Sequence, residues 1–428
     1  VSHDTSAPST SQLSGASDAP VARRSVARVA CGTLQLLWSP WAPPVLFDAR
    51  SAALLDALDG RPLTTVTGRL AEVEKPAAGD VEAELRPVVH QLERHGLLTS
   101  SPAWAHWSPA ALNRAVTPCD RQTWRLDDAD LVDLEVGRRR ITVATADPHL
   151  ATALRAQQTF PQLPAATDLS TAALELVVTP SERPRGVHRL FGRAGRTYHR
   201  STDLAAVVGS FTAHLAALAW MERRSDLVWL DACALVVPGG VALLPGRVRD
   251  DWARLGRRLA TYGVTGVETV QVALDPATAE VVLPPAPDPE VVAIERAWAR
   301  LTGVEPGGVR VDRPAGGVEA ARRGTGPGDD DGGRLPVVRI DHLVDDAELQ
   351  DHVVAGHRSD RLDPAVGAQR MAVLAHHGAL DGSTEPPDVD RATAVLHTVV
   401  HAATRAGVRH RLHHRIAPLL ASFAPAAP

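Results

Sequence analysis

The chain has 428 residues, with 45 Lys+Arg against 50 Asp+Glu, and a formal net charge of −5. That balance gives no overall pull toward nucleic acid or an anionic membrane, and the length suits two to three domains with apolar cores. Cys31, Cys119 and Cys233 are sparse, far apart and without zinc-type spacing, so reduced thiols in a cytoplasmic protein are expected.

Lysine occurs once, at Lys75, beside Pro76 in a polar stretch. Any chemistry that needs a lysine, such as a pyridoxal Schiff base or phosphate neutralisation, must use that residue or do without.

Residues 1–24 are rich in Ser, Thr, Ala and Pro, lack an apolar run, and read as a disordered tail. From residue 25 to 100 the pattern becomes that of a small α/β unit. Short apolar runs at Ser25–Cys31, Thr33–Trp38 and Pro44–Asp48 read as strands separated by Gly32 and Ser39–Pro40. Three helical patterns follow. "DARSAALLDALDG" puts Ala52, Leu55 and Leu58 on one face, "PLTTVTGRLAEV" ends before Pro76, and "DVEAELRPVVHQLERHGLL" aligns Val81, Leu85, Val88, Val89 and Leu92.

Three strands followed by three helices in this length is the pattern of a winged helix-turn-helix. "PVLFDARSAALLDALDG" followed by "LRPVVHQLERHGLL" resembles the PqqD-like peptide-recognition domains of ribosomal peptide (RiPP) modification pathways. The resemblance implies that a precursor leader peptide adds as a strand beside the third strand, with the third helix closing the groove. It points to Val45, Leu46 and Phe47 for backbone pairing and an apolar pocket. On the helix side it points to Leu85, Arg86, Val89 and His90, with Arg86 and His90 contacting an acidic leader.

Residues 101–122, with Trp104 and Trp107, read as a linker. From 123 to 302 strands and helices alternate. "TWRLDD", "LVDLEV", "RRITVATA" and "ALELVVT" read as strands, "RLFGRAGRTYHR" as a hairpin, and Asp203–Met221 as a helix. Strands at Ala232–Val237 and Val241–Leu244 lead into a helix from about Arg249 to Tyr262. Then come "VETVQVALD", "AEVVLPP" and a helix over Pro289–Thr302.

"VALLPGRVRDDWARLG" has the outline of a phosphate-binding loop, whose glycines, lysine and hydroxyl cradle phosphate and Mg²⁺. Gly246 matches the first glycine of that motif. Asp251 stands at the second glycine, Trp252 at the lysine and Ala253 at the hydroxyl, while Arg247 and Arg249 supply charge without the loop geometry.

The run "LDACALVVPGGVALLPG" resembles the segment of HPr kinase-like domains that leads into their phosphate loop. Those domains place a histidine where Asp231 stands and an acidic pair where Thr269 and Val270 stand. The resemblance covers residues 123–302 and implies a kinase-like fold without its chemistry, hence no catalytic residue, no metal and no cofactor.

Residues 303–333, containing "GPGDDDGG", read as a flexible linker. Residues 334–428 read as a mostly helical region with one strand, "LPVVRI", and hold ten of the 18 histidines. His397 and His401 are four apart on one helical face, a spacing that can chelate zinc, though no glutamate sits between them as in HExxH. With His410, His413 and His414 they read as a basic, solvent-facing helix that a partner could use.

The expected class is α+β and multidomain: a winged helix-turn-helix, an α/β kinase-like domain and a helical C-terminal region. The expected function is a non-catalytic, cytoplasmic accessory protein of RiPP biosynthesis. It would bind a precursor leader peptide and present it to separate modifying enzymes, an oxidoreductase and an aminotransferase if the pathway is daptide-type. No nucleic acid and no membrane are expected as partners. The alternatives are an ATP-dependent kinase with an atypical loop and a winged-helix DNA-binding regulator. The latter is disfavoured because Asp80, Glu82, Glu84 and Glu93 outnumber Arg86 and Arg94 on the third helix.

Overall fold

The computed structural model describes residues 20–22, 26–39, 44–74, 78–95, 97–98, 129–136, 139–157, 174–179, 186–192, 197–237, 239–245, 266–268, 271–283, 289–306, 334–344, 362–382 and 388–412. Over these residues the protein is α+β, with several sheets and eight helices.

The first element, β1 (Pro20–Ala22), lies within the segment expected to be a tail. Strands β2 (Ala27–Cys31), β3 (Leu34–Trp38) and β4 (Val45–Asp48) form an antiparallel meander in that order. Gly32 turns the first hairpin with φ +63°, a left-handed conformation that glycine adopts without strain.

Asp48 ends β4 and starts α1 (Ala49–Ala57), its side chain accepting from the Ser51 N–H at 2.8 Å. The connector β5 (Asp59–Pro62) pairs with β1, and the helices α2 (Leu63–Glu74) and α3 (Ala78–Arg94) follow.

The alternation along these strands sends side chains to opposite faces. Leu37, Val45 and Phe47 pack under the three helices with Leu54, Leu55, Leu58, Leu85 and Leu92. Ala27, Val29, Cys31, Leu36 and Trp38 face the other way and are also buried. This small sheet is covered on both sides.

The second layer is a five-stranded sheet in the order β10-β9-β8-β7-β6. Its strands are β6 (Asp130–Val136), β7 (Arg139–Thr145), β8 (Leu174–Thr179), β9 (His188–Gly192) and β10 (Thr197–Ser201). Only β7 and β8 run parallel, and α4 (Pro148–Arg155) lies in the crossover between them.

The 20-residue α5 (Leu204–Arg223) is apolar enough by length and composition to cross a membrane. It is instead a core helix: Val207, Val208, Phe211 and Leu215 pack against the sheet, and Thr212 donates to Glu295 at 2.6 Å.

The remaining strands make two sheets. Strands β11 (Val228–Leu230), β12 (Ala232–Val237), β13 (Gly240–Pro245), β14 (Gly266–Glu268), β15 (Val272–Leu274) and β16 (Val281–Val282) precede α6 (Pro289–Thr302). After it come β17 (Arg334–Leu335), β18 (Val337–Val344), α7 (Pro364–Gly382), α8 (Val389–Ala406) and β19 (Val408–Leu412). One sheet has the order β11-β15-β16-β17 and the other β14-β12-β13-β18-β19.

Four expectations change here. "VETVQVALD" forms two short strands, β14 and β15, in different sheets, because β12 and β11 offer separate edges. The expected boundary between 302 and 334 divides strands that hydrogen-bond to one another, since β17 extends β16 and β18 runs parallel beside β13.

His410 belongs to a strand and not to a histidine-rich helix. Gly407, at φ 71°, ends α8, and β19 then pairs with the edge of β18. Finally, Pro20–Ala22 is an ordered strand because β5 gives it a partner. The sequence-expected strand "TWRLDD" and the helix near Arg249–Tyr262 lie outside the described residues.

Helices α7 and α8 join the parts. Their apolar faces (Ala368, Met371, Ala372, Val395, Leu396, Val399) share one core with the back of the β2–β4 sheet and with β11–β13 and β18.

Candidate functional site

Two places in this architecture correspond to the residues singled out from the sequence. The first is β4 with α3. Strand β4 is an edge: β3 pairs with one side of it, and among the described residues no strand pairs with the other.

Its side chains are committed elsewhere. Val45 and Phe47 are buried under the helices, and Leu46 is half-buried on the opposite face against the α7–α8 core. The Phe47 ring meets His95 edge-on at 6.2 Å. The Pro44 carbonyl, at the start of the strand, accepts from Gln369 Nε2 of α7 at 3.3 Å. What β4 can offer a ligand is therefore its outer main-chain edge, not an open apolar pocket.

On α3, Leu85 and Leu92 point into the core, Val88 and Val89 are half-buried, and Arg86 and His90 face solvent. His90 Nδ1 lies 3.8 Å from Glu93 Oε2, an ion pair only when the imidazole is protonated. The structure thus gathers Val45, Phe47, Leu85 and Val89 into one cluster and leaves Arg86 and His90 outside it. Arg28 of β2 donates to Asp56 of α1 through two bonds of 2.7 and 2.9 Å, linking the sheet to the first helix.

The second place is the end of β13. Gly246, Arg247, Arg249, Asp251, Trp252 and Ala253 lie outside the described residues, but the frame that leads to them is described. At the start of β13, a Cβ on Gly240 would stand 2.3 Å from the Pro336 carbonyl oxygen, so only glycine lets β13 approach the segment before β18 that closely.

The sheet registers pair Ala232 with Pro245 and Leu230 with Val272. They bring Asp231 and Gln271 to the end of the sheet where β13 leads to Gly246. In the parallel neighbour, Leu243 lies beside Ile340, which brings Asp341 to the same end. All three polar side chains are buried, and Arg339 Nε holds Asp341 Oδ2 at 2.6 Å. The Asp231 N–H donates to the Leu374 carbonyl of α7 at 2.9 Å.

Of this group, sequence reading singled out only Asp231, and only by its resemblance to another motif. The available signal was a polar residue interrupting an apolar run, in "VWLDACALVV" and "VVRID".

A third polar cluster was not anticipated. Asp147 caps α4 through the His149 N–H and accepts from Trp298 Nε1, both at 3.0 Å. His188 lies within the fields of Asp203 and Asp147. Burial lowers its pKa below the ordinary imidazole value, and those two carboxylates partly oppose the shift. Among the described residues no group of three or more His, Cys, Asp or Glu is placed to hold a metal ion.

No protein-family model, curated protein or solved structure matches this chain.

Proposed function

We propose that this chain is a non-catalytic accessory protein that captures the leader of a ribosomally made precursor peptide and presents it to separate modifying enzymes. The observation that carries the reading is the edge strand β4, the last strand of a three-stranded meander that runs into three helices. This is the element order of a PqqD-like winged helix-turn-helix. Strand addition suits such an edge: the main chain supplies hydrogen bonds, and on this reading Arg86 and His90, exposed on α3, contact an acidic peptide.

The β12–β13 hairpin and the sheet around it are compatible with a kinase-like body. The replacement of lysine, hydroxyl and second glycine by Trp252, Ala253 and Asp251 argues against phosphoryl transfer. On this reading the protein is cytoplasmic and the body is a scaffold.

The test is fluorescence anisotropy of the full chain with the labelled cognate leader. An N-methyl scan of the leader distinguishes strand addition from side-chain docking, because alternate peptide amides face the edge. Binding lost at every second position, together with roughly tenfold weaker binding by Arg86→Glu at low salt, supports the reading. Loss without a two-residue period, or no binding at all, refutes it.

A further inference from the structure

We propose that His397 and His401 form a surface chelate for one borderline divalent transition cation of the Cu²⁺ or Zn²⁺ kind. The two residues are four apart on α8, and both are exposed. Neighbours at this spacing have Cβ atoms about 5–6 Å apart, a span that two imidazoles bridge through a metal with bonds of about 2.0–2.1 Å.

The helix that carries them is held in place. Asp388 caps its start by accepting the Arg391 N–H at 2.7 Å, and the Gly407 N–H closes its end on the Ala403 carbonyl at 2.9 Å. Its opposite face buries Ala392, Val395, Leu396, Val399, Ala402 and Ala403. The pair therefore pays little ordering entropy on binding, which is the condition for a chelate to exceed two independent imidazoles.

His397 lies at the middle of α8 and His401 one turn nearer its C-terminus, both ahead of the last turn, so the chelate rests on spacing and exposure and not on the helix dipole. Arg405, one turn further on and also exposed, opposes a cation, but its long side chain can turn into solvent. Imidazole nitrogen suits Cu²⁺ and Zn²⁺ over Mg²⁺ or Ca²⁺, and copper binds more tightly than zinc at such sites. The pair faces away from the β2–β4 sheet, so this site does not rest on the peptide-binding reading and does not compete with it.

The experiment uses the full, tag-free chain stripped with chelator and titrated with CuCl₂ and, separately, ZnCl₂ by calorimetry. One equivalent should bind, copper more tightly than zinc, with affinity falling as pH is lowered because protons compete for the imidazoles. Electron paramagnetic resonance of the copper form should show two nitrogen ligands.

His397→Ala and His401→Ala should each weaken binding by roughly a hundredfold, the order of gain that joining two weak sites gives. Combining His397→Ala with Arg405→His recreates the four-residue spacing with His401 and should restore it. Exposed His149 serves as the control, so His149→Ala should change nothing. Wild-type affinity in a His397→Ala/His401→Ala double variant, or no rescue by Arg405→His, overturns the proposal.

Discussion

The β2–β4 sheet should not fold when separated from the C-terminal helices. Its rear face buries Ala27, Val29, Cys31, Leu36 and Trp38 to 5% exposure or less, against a core that includes α7 and α8. Excising residues 20–98 returns those side chains to water. At about 1.5–3 kcal/mol for each of Val, Leu and a large aromatic, and less for Ala and Cys, the loss is roughly 6–10 kcal/mol. The figure is an upper bound, because a real unfolded chain already hides part of this surface. A domain of this size has only about 4–12 kcal/mol of stability in total.

The fragment should therefore bind a hydrophobic dye, lack a near-ultraviolet signal from Trp38, and melt without a cooperative transition. In the full chain, Trp38→Ala should cost about 3–5 kcal/mol, read as an earlier denaturant midpoint. A monomeric, dye-silent fragment with a sharp melt would show that the helices merely rest on the sheet, and the shared-core argument would fail.

Two further outcomes follow from single side chains. The Arg391 guanidinium donates to the carbonyls of Ser225, Asp226 and Leu227, tying the turn after α5 to the start of α8. Arg391→Ala should cost about 2–4 kcal/mol by urea titration, since bonds from a charged donor are each worth about 1.5–3 kcal/mol and this site is partly solvated. A change below about 0.5 kcal/mol would show the clamp to be idle.

Because the folded-state pKa of His188 is lowered, mainly by burial, the unfolded chain binds its proton first. Stability is thus full above the ordinary value of 6.5 and is lost as pH falls through the folded value. His188→Gln should flatten the stability profile between pH 7 and 5. An unchanged profile there would remove His188 as its cause.

Much of this fold can be read from local pattern alone. The alternation of "VLFD" and the Asp48 cap mark β4 and α1. The 3.6-residue stripe of α3 puts Leu85 and Leu92 inward and Arg86 and His90 outward, as the structure places them. The apolar run at Ala205–Trp220 marks α5, and the four-residue spacing of His397 and His401 places both on one exposed face of α8.

Pairings distant in sequence were not legible in the same way. Val228–Leu230, Asp59–Pro62 and Val408–Leu412 are too short or too polar to stand out as strands. Each forms because an unpaired edge lies next to it in space: β15 for the first, β1 for the second, β18 for the third.

The same reason explains the candidate sites. Local periodicity marked β4 as a strand and α3 as a helix with an outward polar face, because alternation and helical stripe are properties of neighbouring residues; a peptide groove there was implied only by the resemblance to PqqD-like domains. That resemblance also implied an apolar pocket at β4, but Val45 and Phe47 are packed under the helices, since burial depends on what the rest of the chain lays over a strand.

The gathering of Asp231, Gln271 and Asp341 at one end of the sheets, from three separate stretches of the chain, rests wholly on strand register. Sequence by itself determined which way each side chain faces within its own element. Only the tertiary structure decided which elements share an edge or a core, because those contacts form between parts of the chain that carry no local record of one another.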